Sequence, residues 1–181
     1  LMFSVIAFSV PAQGAGIWFN EHATPDMGTA SAGRAATADN AAIAGDNPAG
    51  MTRLDRNELN VGIAPLYFDA KFDTKSSTFG GGDGGSLGGW VPEGSLAYVH
   101  SLSPNLKLGL AVSSYFGLGL DYSNDWAGRY YVTETELLTI GINPSIGYKV
   151  NDKLSIGAGL NLIYSTLEQK TAINNPEPGV S

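Results

Sequence analysis

Residues 137–168 read LLTIGINPSIGYKVNDKLSIGAGLNLIYSTLE. The even positions Leu138, Ile140, Ile142, Pro144, Ile146 and Tyr148 are apolar, and the odd positions between them are Thr139, Gly141, Asn143, Ser145, Gly147 and Lys149. After Asn151-Asp152 the same parity resumes: Leu154, Ile156, Ala158, Leu160, Leu162 and Tyr164 alternate with Ser155, Gly157, Gly159, Asn161, Ile163 and Ser165. Only Ile163 breaks the pattern. Strict period-2 alternation marks strands with one apolar face. A soluble sandwich would also alternate, but its polar face would be rich in Lys and Glu. Here that face is mostly Gly, Ser, Thr and Asn. The runs outlast the roughly 5–6 residues of a soluble strand and reach the roughly 9–11 that a tilted membrane strand needs. The stretch therefore reads as a hairpin of a transmembrane antiparallel β-barrel, apolar face to lipid and small polar face to the lumen. The tyrosines Tyr148 and Tyr164 fall where an interfacial aromatic girdle belongs.

Composition agrees with an all-β membrane chain. The 181 residues hold 24 glycines and only 15% charged residues, and the mean hydropathy is near zero. A barrel spreads its apolar residues over alternate positions, so the average hides them. No run approaches the roughly 18 apolar residues of a membrane helix. A net charge of −7 without a basic stripe argues against nucleic acid as a partner. The absence of cysteine decides nothing about compartment.

Residues 1–10, LMFSVIAFSV, followed by Pro11-Ala12-Gln13-Gly14, have the apolar core and small-residue end of a secretory signal. Residues 1–14 are expected to be the remnant of one, with Ala15 as the mature N-terminus. Residues 15–56 show no period. They hold an alanine-rich part that can form short helical turns and a turn at Asn47-Pro48-Ala49. Such a segment cannot face lipid, where unpaired backbone groups are too costly. It is either a periplasmic arm or a plug inside the lumen.

Three further strands precede the opening hairpin. Leu59, Val61, Ile63, Pro65 and Tyr67 mark the first, Leu96, Tyr98, His100 and Leu102 the second, and Leu106, Leu108, Leu110 and Val112 the third. Long connections at residues 73–89 and 119–133 alternate with short ones at 103–105 and 151–152. Short periplasmic turns and long outer loops are the outer-membrane pattern. The run from Gly80 to Gly85 lacks the Gly-Lys-Ser/Thr ending of a phosphate loop and reads as a flexible loop. At Tyr115-Phe116-Gly117-Leu118-Gly119 two glycines interrupt the ladder. They mark either a bulge in the strand or the start of an outer loop.

Ala15-Gly16-Ile17-Trp18-Phe19-Asn20-Glu21, Gly28, Gly33-Arg34-Ala35 and Asn47-Pro48-Ala49 occur in this order. Trp90-Val91-Pro92, Tyr115-Phe116-Gly117-Leu118, Trp126-Ala127-Gly128 and Gly157-Ala158-Gly159-Leu160-Asn161 follow. This ordered set resembles the FadL family of outer-membrane transporters of long-chain fatty acids and aromatic hydrocarbons, over essentially all of the mature chain. The resemblance implies a 14-stranded barrel, monomeric when full length, with residues 15–56 as a hatch in its lumen. It implies that the third strand kinks inward at Tyr115, Phe116, Gly117, Leu118 and Gly119, opening a gap in the wall, with Asn47, Pro48 and Ala49 packed against the kink. Ile17, Trp18 and Phe19 are the expected hatch contacts of the ligand. The expected function is passive uptake of hydrophobic compounds into the cell, with outer-membrane lipid as surroundings. The alternatives are a structural or adhesive barrel and a soluble exported sandwich.

No catalytic constellation, metal site or cofactor is expected. Neither histidine has a triad setting: His22 falls in the expected hatch, and His100 shares the lipid-facing parity of Leu96 and Tyr98. Asp39, Asp46, Asp55 and Glu58 lack the spacing of a calcium loop. About five strands cannot close a barrel, and an open edge in lipid is costly. Residues 57–181 are therefore expected to be the opening strands of a longer chain.

Overall fold

The computed structural model describes residues 23–174. Among the described residues six antiparallel strands form one sheet: β1 (Glu58–Lys71), β2 (Ser86–Ser101), β3 (Leu106–Asp121), β4 (Glu134–Asn151), β5 (Leu154–Gly159) and β6 (Leu162–Lys170). β1 to β4 neighbour one another in chain order, and β5 and β6 both lie against β4. The first four strands run 14 to 18 residues, ample for a bilayer crossing. Among the described residues no helix is long and apolar enough to cross a membrane.

The single fifth strand expected from the alternation is interrupted. β5 and β6 keep one register against β4, from Ser145↔Gly159 to Ile142↔Leu162. The break falls opposite Asn143 and Pro144. The Leu160 N–H donates to the Pro144 carbonyl at 3.0 Å, but proline has no N–H to return the bond. One ladder bond is missing, and the strand divides there. β2 also begins earlier than its alternation indicates, and β1, β3 and β4 extend outward with it. Gly88 and Gly89 still pair with Asp69 and Phe68, so the outer loops shrink to residues 72–85 and 122–133.

The alternation sorts the faces as expected. Leu59, Val61 and Ile63 of β1, Leu138, Ile140, Ile142, Ile146 and Tyr148 of β4, and Tyr98 and Trp90 of β2 are all exposed on one face, the face that meets lipid. Tyr67 and Trp90 meet edge to face at 5.2 Å near the outer end. His100 lies on the same face, next to the Tyr98 hydroxyl.

Residues 24–54 pack on the opposite, inner face. They form two single-turn helices, α1 (Arg34–Thr37) and α2 (Ile43–Asp46), and two 3-10 turns, Pro25–Thr29 and Pro48–Arg53. Ile43, Ala44, Met51 and Leu54 make a small core with Ala97 and Val99 of β2. The inner face is small because backbone is seated on it. The Ser145 hydroxyl donates to the Ala44 carbonyl at 3.0 Å, and the Thr52 and Ser155 hydroxyls meet at 2.8 Å. A Cβ on Gly109 would stand 2.5 Å from Met51 Sδ and 2.8 Å from Ala44 Cβ. A Cβ on Gly157 would stand 2.7 Å from the Pro48 carbonyl carbon.

Candidate functional site: an opening between two strands

The irregularity in β3 lies one step ahead of its glycines. Ser114 pairs with Ile140 and Phe116 with Thr139, so Tyr115 is an extra residue, a β-bulge. The Ser114 hydroxyl donates to the Thr139 carbonyl at 2.9 Å and steadies the bulge. The Tyr115 ring lies over Gly141 on the inner face, in space that any side chain at Gly141 would occupy.

One inserted residue exchanges the faces of everything beyond it. Before the bulge, Lys107, Gly109, Ala111 and Ser113 look inward. After it, Phe116, Leu118 and Leu120 stand opposite the inward residues Thr139, Leu137 and Thr135. Leu167 of β6 pairs with Leu137 on the same face. The inner wall is thus small where residues 24–54 rest on it, and further out it gains the large apolar side chains Phe116, Leu118, Leu120 and Leu137 beside Thr135 and Thr139. The alternation alone indicates a small polar lumen throughout; the bulge changes that for the outer half. Gly117 and Gly119 come to the outer face opposite Leu138 and Glu136.

The same bulge parts two strands. β2 and β3 pair from Ser101↔Lys107 to Ser95↔Ser113 and no further. Beyond that point β2 keeps only β1, as far as Ser86, and β3 keeps only β4. Between them lies a cleft of about 410 Å³, walled by Trp90, Val91 and Pro92 on one side and Leu118, Leu120 and Leu137 on the other. Asp121, Glu134 and Glu136 line its outer rim. Glu134 accepts a hydrogen bond from Lys170 at 2.7 Å.

A second cavity, of about 310 Å³, separates the N-terminal segment from the wall just below the opening. Arg34, Asp46, Ser95, Ser113, Tyr115 and Asn143 are among the residues that line it. Arg34 Nε lies 2.7 Å from Asp26 and 3.7 Å from Asp46. Burial would raise Asp26, but hydrogen bonds from Thr24 and Arg34 outweigh it and hold that carboxyl below the usual range. Burial pushes the Asp46 carboxyl up, against the pull of Arg34.

The expected site residues are distributed unevenly. Ile17, Trp18 and Phe19 lie outside the described residues, as does residues 1–14, the expected signal remnant. Tyr115, Phe116, Gly117, Leu118 and Gly119 all stand at the bulge and along the cleft. Asn47, Pro48 and Ala49 do not pack against them. The Asn47 side chain donates to the Ala35 carbonyl at 2.7 Å, and Pro48 and Ala49 rest on Gly157 of β5 and its neighbour Gly147 of β4. Tyr115 and Asp46, which lies just ahead of that turn, both line the second cavity. The sequence reading missed Leu120, Leu137 and Val91, whose roles depend on which strands part. The adjacent bulky pair Tyr115-Phe116 was the available signal of a parity change.

Residues 5–176 match the family described as outer membrane protein transport protein (OMPP1/FadL/TodX). The chain is 30% identical over 170 residues to the long-chain fatty acid transport protein of Escherichia coli O6:H1, covering 91% of this chain and 37% of that protein. It is 30% identical over 173 residues to outer membrane protein P1 of Haemophilus influenzae, covering 85% of this chain and 37% of that protein. The crystal structure of a Pseudomonas aeruginosa FadL homologue superposes with a TM-score of 0.56 at 24% identity, over 71% of this chain and 33% of that one. The chain thus spans about a third of the length of these relatives. The family match over nearly all of the chain and the relatives at 30% identity lead to one conclusion: this chain belongs to the OMPP1/FadL/TodX family of outer-membrane proteins, and its place is the cell outer membrane.

Proposed function

We propose that the protein takes up long-chain fatty acids or similarly hydrophobic compounds across the outer membrane by a passive route. The observation that carries this reading is the bulge at Tyr115. It turns Phe116, Leu118 and Leu120 to the inner face, beside a cleft between the parted strands β2 and β3 that has Trp90, Val91, Pro92, Leu118, Leu120 and Leu137 in its walls and carboxylates on its rim. Burial of each methylene contributes about 0.8 kcal/mol, so an acyl chain or an aromatic hydrocarbon is held there without many polar contacts. The ligand leaves sideways through the cleft into the membrane. Residues 15–56 act as the hatch, and Arg34, Asp26 and Asp46 tie its turns together where it faces the opening. Movement of this segment away from the wall frees the route.

The test uses the complete gene. A deletion strain is followed for uptake of a radiolabelled long-chain fatty acid, then complemented with the wild type or with Leu118→Glu, which sets a charge in the apolar wall. Wild type restores uptake and Leu118→Glu leaves it at least about tenfold lower, the effect of roughly 1.4 kcal/mol, with equal amounts of folded protein in the membrane. Uptake unaltered by the deletion sinks the reading.

A further inference from the structure

We infer that the opening between β2 and β3 is framed from above by a clasp of the two outer loops, in which Trp126 is the positioning residue; this rests on the cleft being the exit. The strands part above Ser95↔Ser113, yet the chain just before β2 and just after β3 meets again. The Ser123 N–H donates to the Gly84 carbonyl at 3.0 Å, the Gly82 N–H to the Asp125 carbonyl at 2.9 Å, and the Ala127 N–H to the Gly82 carbonyl at 3.0 Å. The opening is therefore bounded at both ends. It runs along residues 85–94 of one edge and 114–122 of the other, about 30 Å at roughly 3.3 Å per residue.

The clasp is built around one ring. Trp126 is 6% exposed although it lies in an outer loop. It stacks on Tyr122 at 3.6 Å and 9° and takes the edge of Phe72 at 5.7 Å. Gly84 has φ +83°, and a Cβ there would stand 2.8 Å from the Trp126 ring and 2.9 Å from that of Tyr122. The Arg129 guanidinium donates across to the Phe79 and Gly80 carbonyls at 3.1 and 3.2 Å. The loop expected to be flexible is thus fastened to its neighbour by both backbone and side chains.

The physical need for such a frame follows from the edges. Between the two ends of the opening β2 and β3 form no ladder with each other, and strand edges parted in lipid either zip or splay. The bulge prevents zipping from below. The clasp prevents the tip of the β1–β2 hairpin from swinging away above. Trp126 acts through this geometry, without needing to touch the ligand.

Spin-label distances across the opening test this. Gly89 and Gly119 line it from opposite edges, and a side chain at either meets nothing within 4 Å. Labels are placed through Gly89→Cys and Gly119→Cys in the complete protein, freed of any other cysteine and reconstituted in liposomes. Trp126→Ala removes the ring, and Gly84→Val forces it out. Both are expected to lengthen the mean distance by about one strand spacing, ~4.8 Å, and to broaden its distribution. Trp126→Phe, which keeps the stack, holds the wild-type distance. Heat-modifiable migration on gels shows that each variant has folded. A wild-type distribution in both Trp126→Ala and Gly84→Val overturns the inference, as does an equal shift in Trp126→Phe. The distance does not depend on what the protein carries, so failure of the uptake assay leaves this test intact.

Discussion

Gly109 shows how one absent methyl group shapes the interior. Its missing Cβ leaves room for Met51 and Ala44 to sit on the wall. Gly109→Val overfills that contact, and such overpacking costs about 1–3 kcal/mol. Urea titration of the complete protein in detergent, read by protection of residues 24–54 from protease, should show the loss. The charged residues of the same segment respond to pH in opposite senses. Asp46 is raised by burial, so proton binding favours the packed segment. Its contribution is full below the ordinary carboxylate value and fades as pH rises through the folded value. Asp46→Asn should therefore raise protease protection at neutral pH and remove this fade. Asp26 is held low, chiefly by Thr24 and Arg34 acting against burial. Its contribution is present above the ordinary value, about pH 4, and is lost as pH falls through the folded one. Asp26→Asn should weaken protection at neutral pH, with the difference vanishing in acid. None of this was visible in the chain order. Asp26, Arg34 and Asp46 are far apart in sequence and follow no known spacing.

At the scale of elements, β3 carries the most information per residue. Deleting Tyr115 should restore one parity along the whole strand. Phe116, Leu118 and Leu120 would keep their inward places opposite Thr139, Leu137 and Thr135, while β2 and β3 could continue their ladder past Ser95↔Ser113 and close the gap. The expected outcome is a folded barrel without fatty-acid uptake, with slowed amide exchange at residues 86–94; fast exchange there would contradict this account of the bulge. β4 and the two strands after it offer a milder case. Their alternation was legible, their register continuous, and only the consequence of Pro144 was overlooked. A single residue without an N–H removes one bond without altering any side-chain pattern, so periodicity does not register it.

The whole molecule is arranged by its two faces. Ile142 stands exposed in the middle of β4, between Tyr148 and the outer rim. A lysine there would meet the hydrocarbon. Ile142→Lys should destabilise the complete barrel in bilayers by about 2–4 kcal/mol, measured by denaturant refolding into liposomes. A much smaller effect would mean that this face is not at membrane depth. The period-2 pattern by itself located the strands and the apolar face of each up to the bulge, because a side chain's face in a strand depends only on its parity. It also marked residues 15–56 as a segment that must avoid lipid. Tertiary structure decided the rest. Which face receives that segment, where β2 leaves β3, and how two loops close above the gap are set by pairing between distant residues. A bulge of one residue at Tyr115 converts an apolar lipid-facing run into an apolar inner wall. That reversal has no periodic signature, because it arises from the register of two strands and not from either one alone.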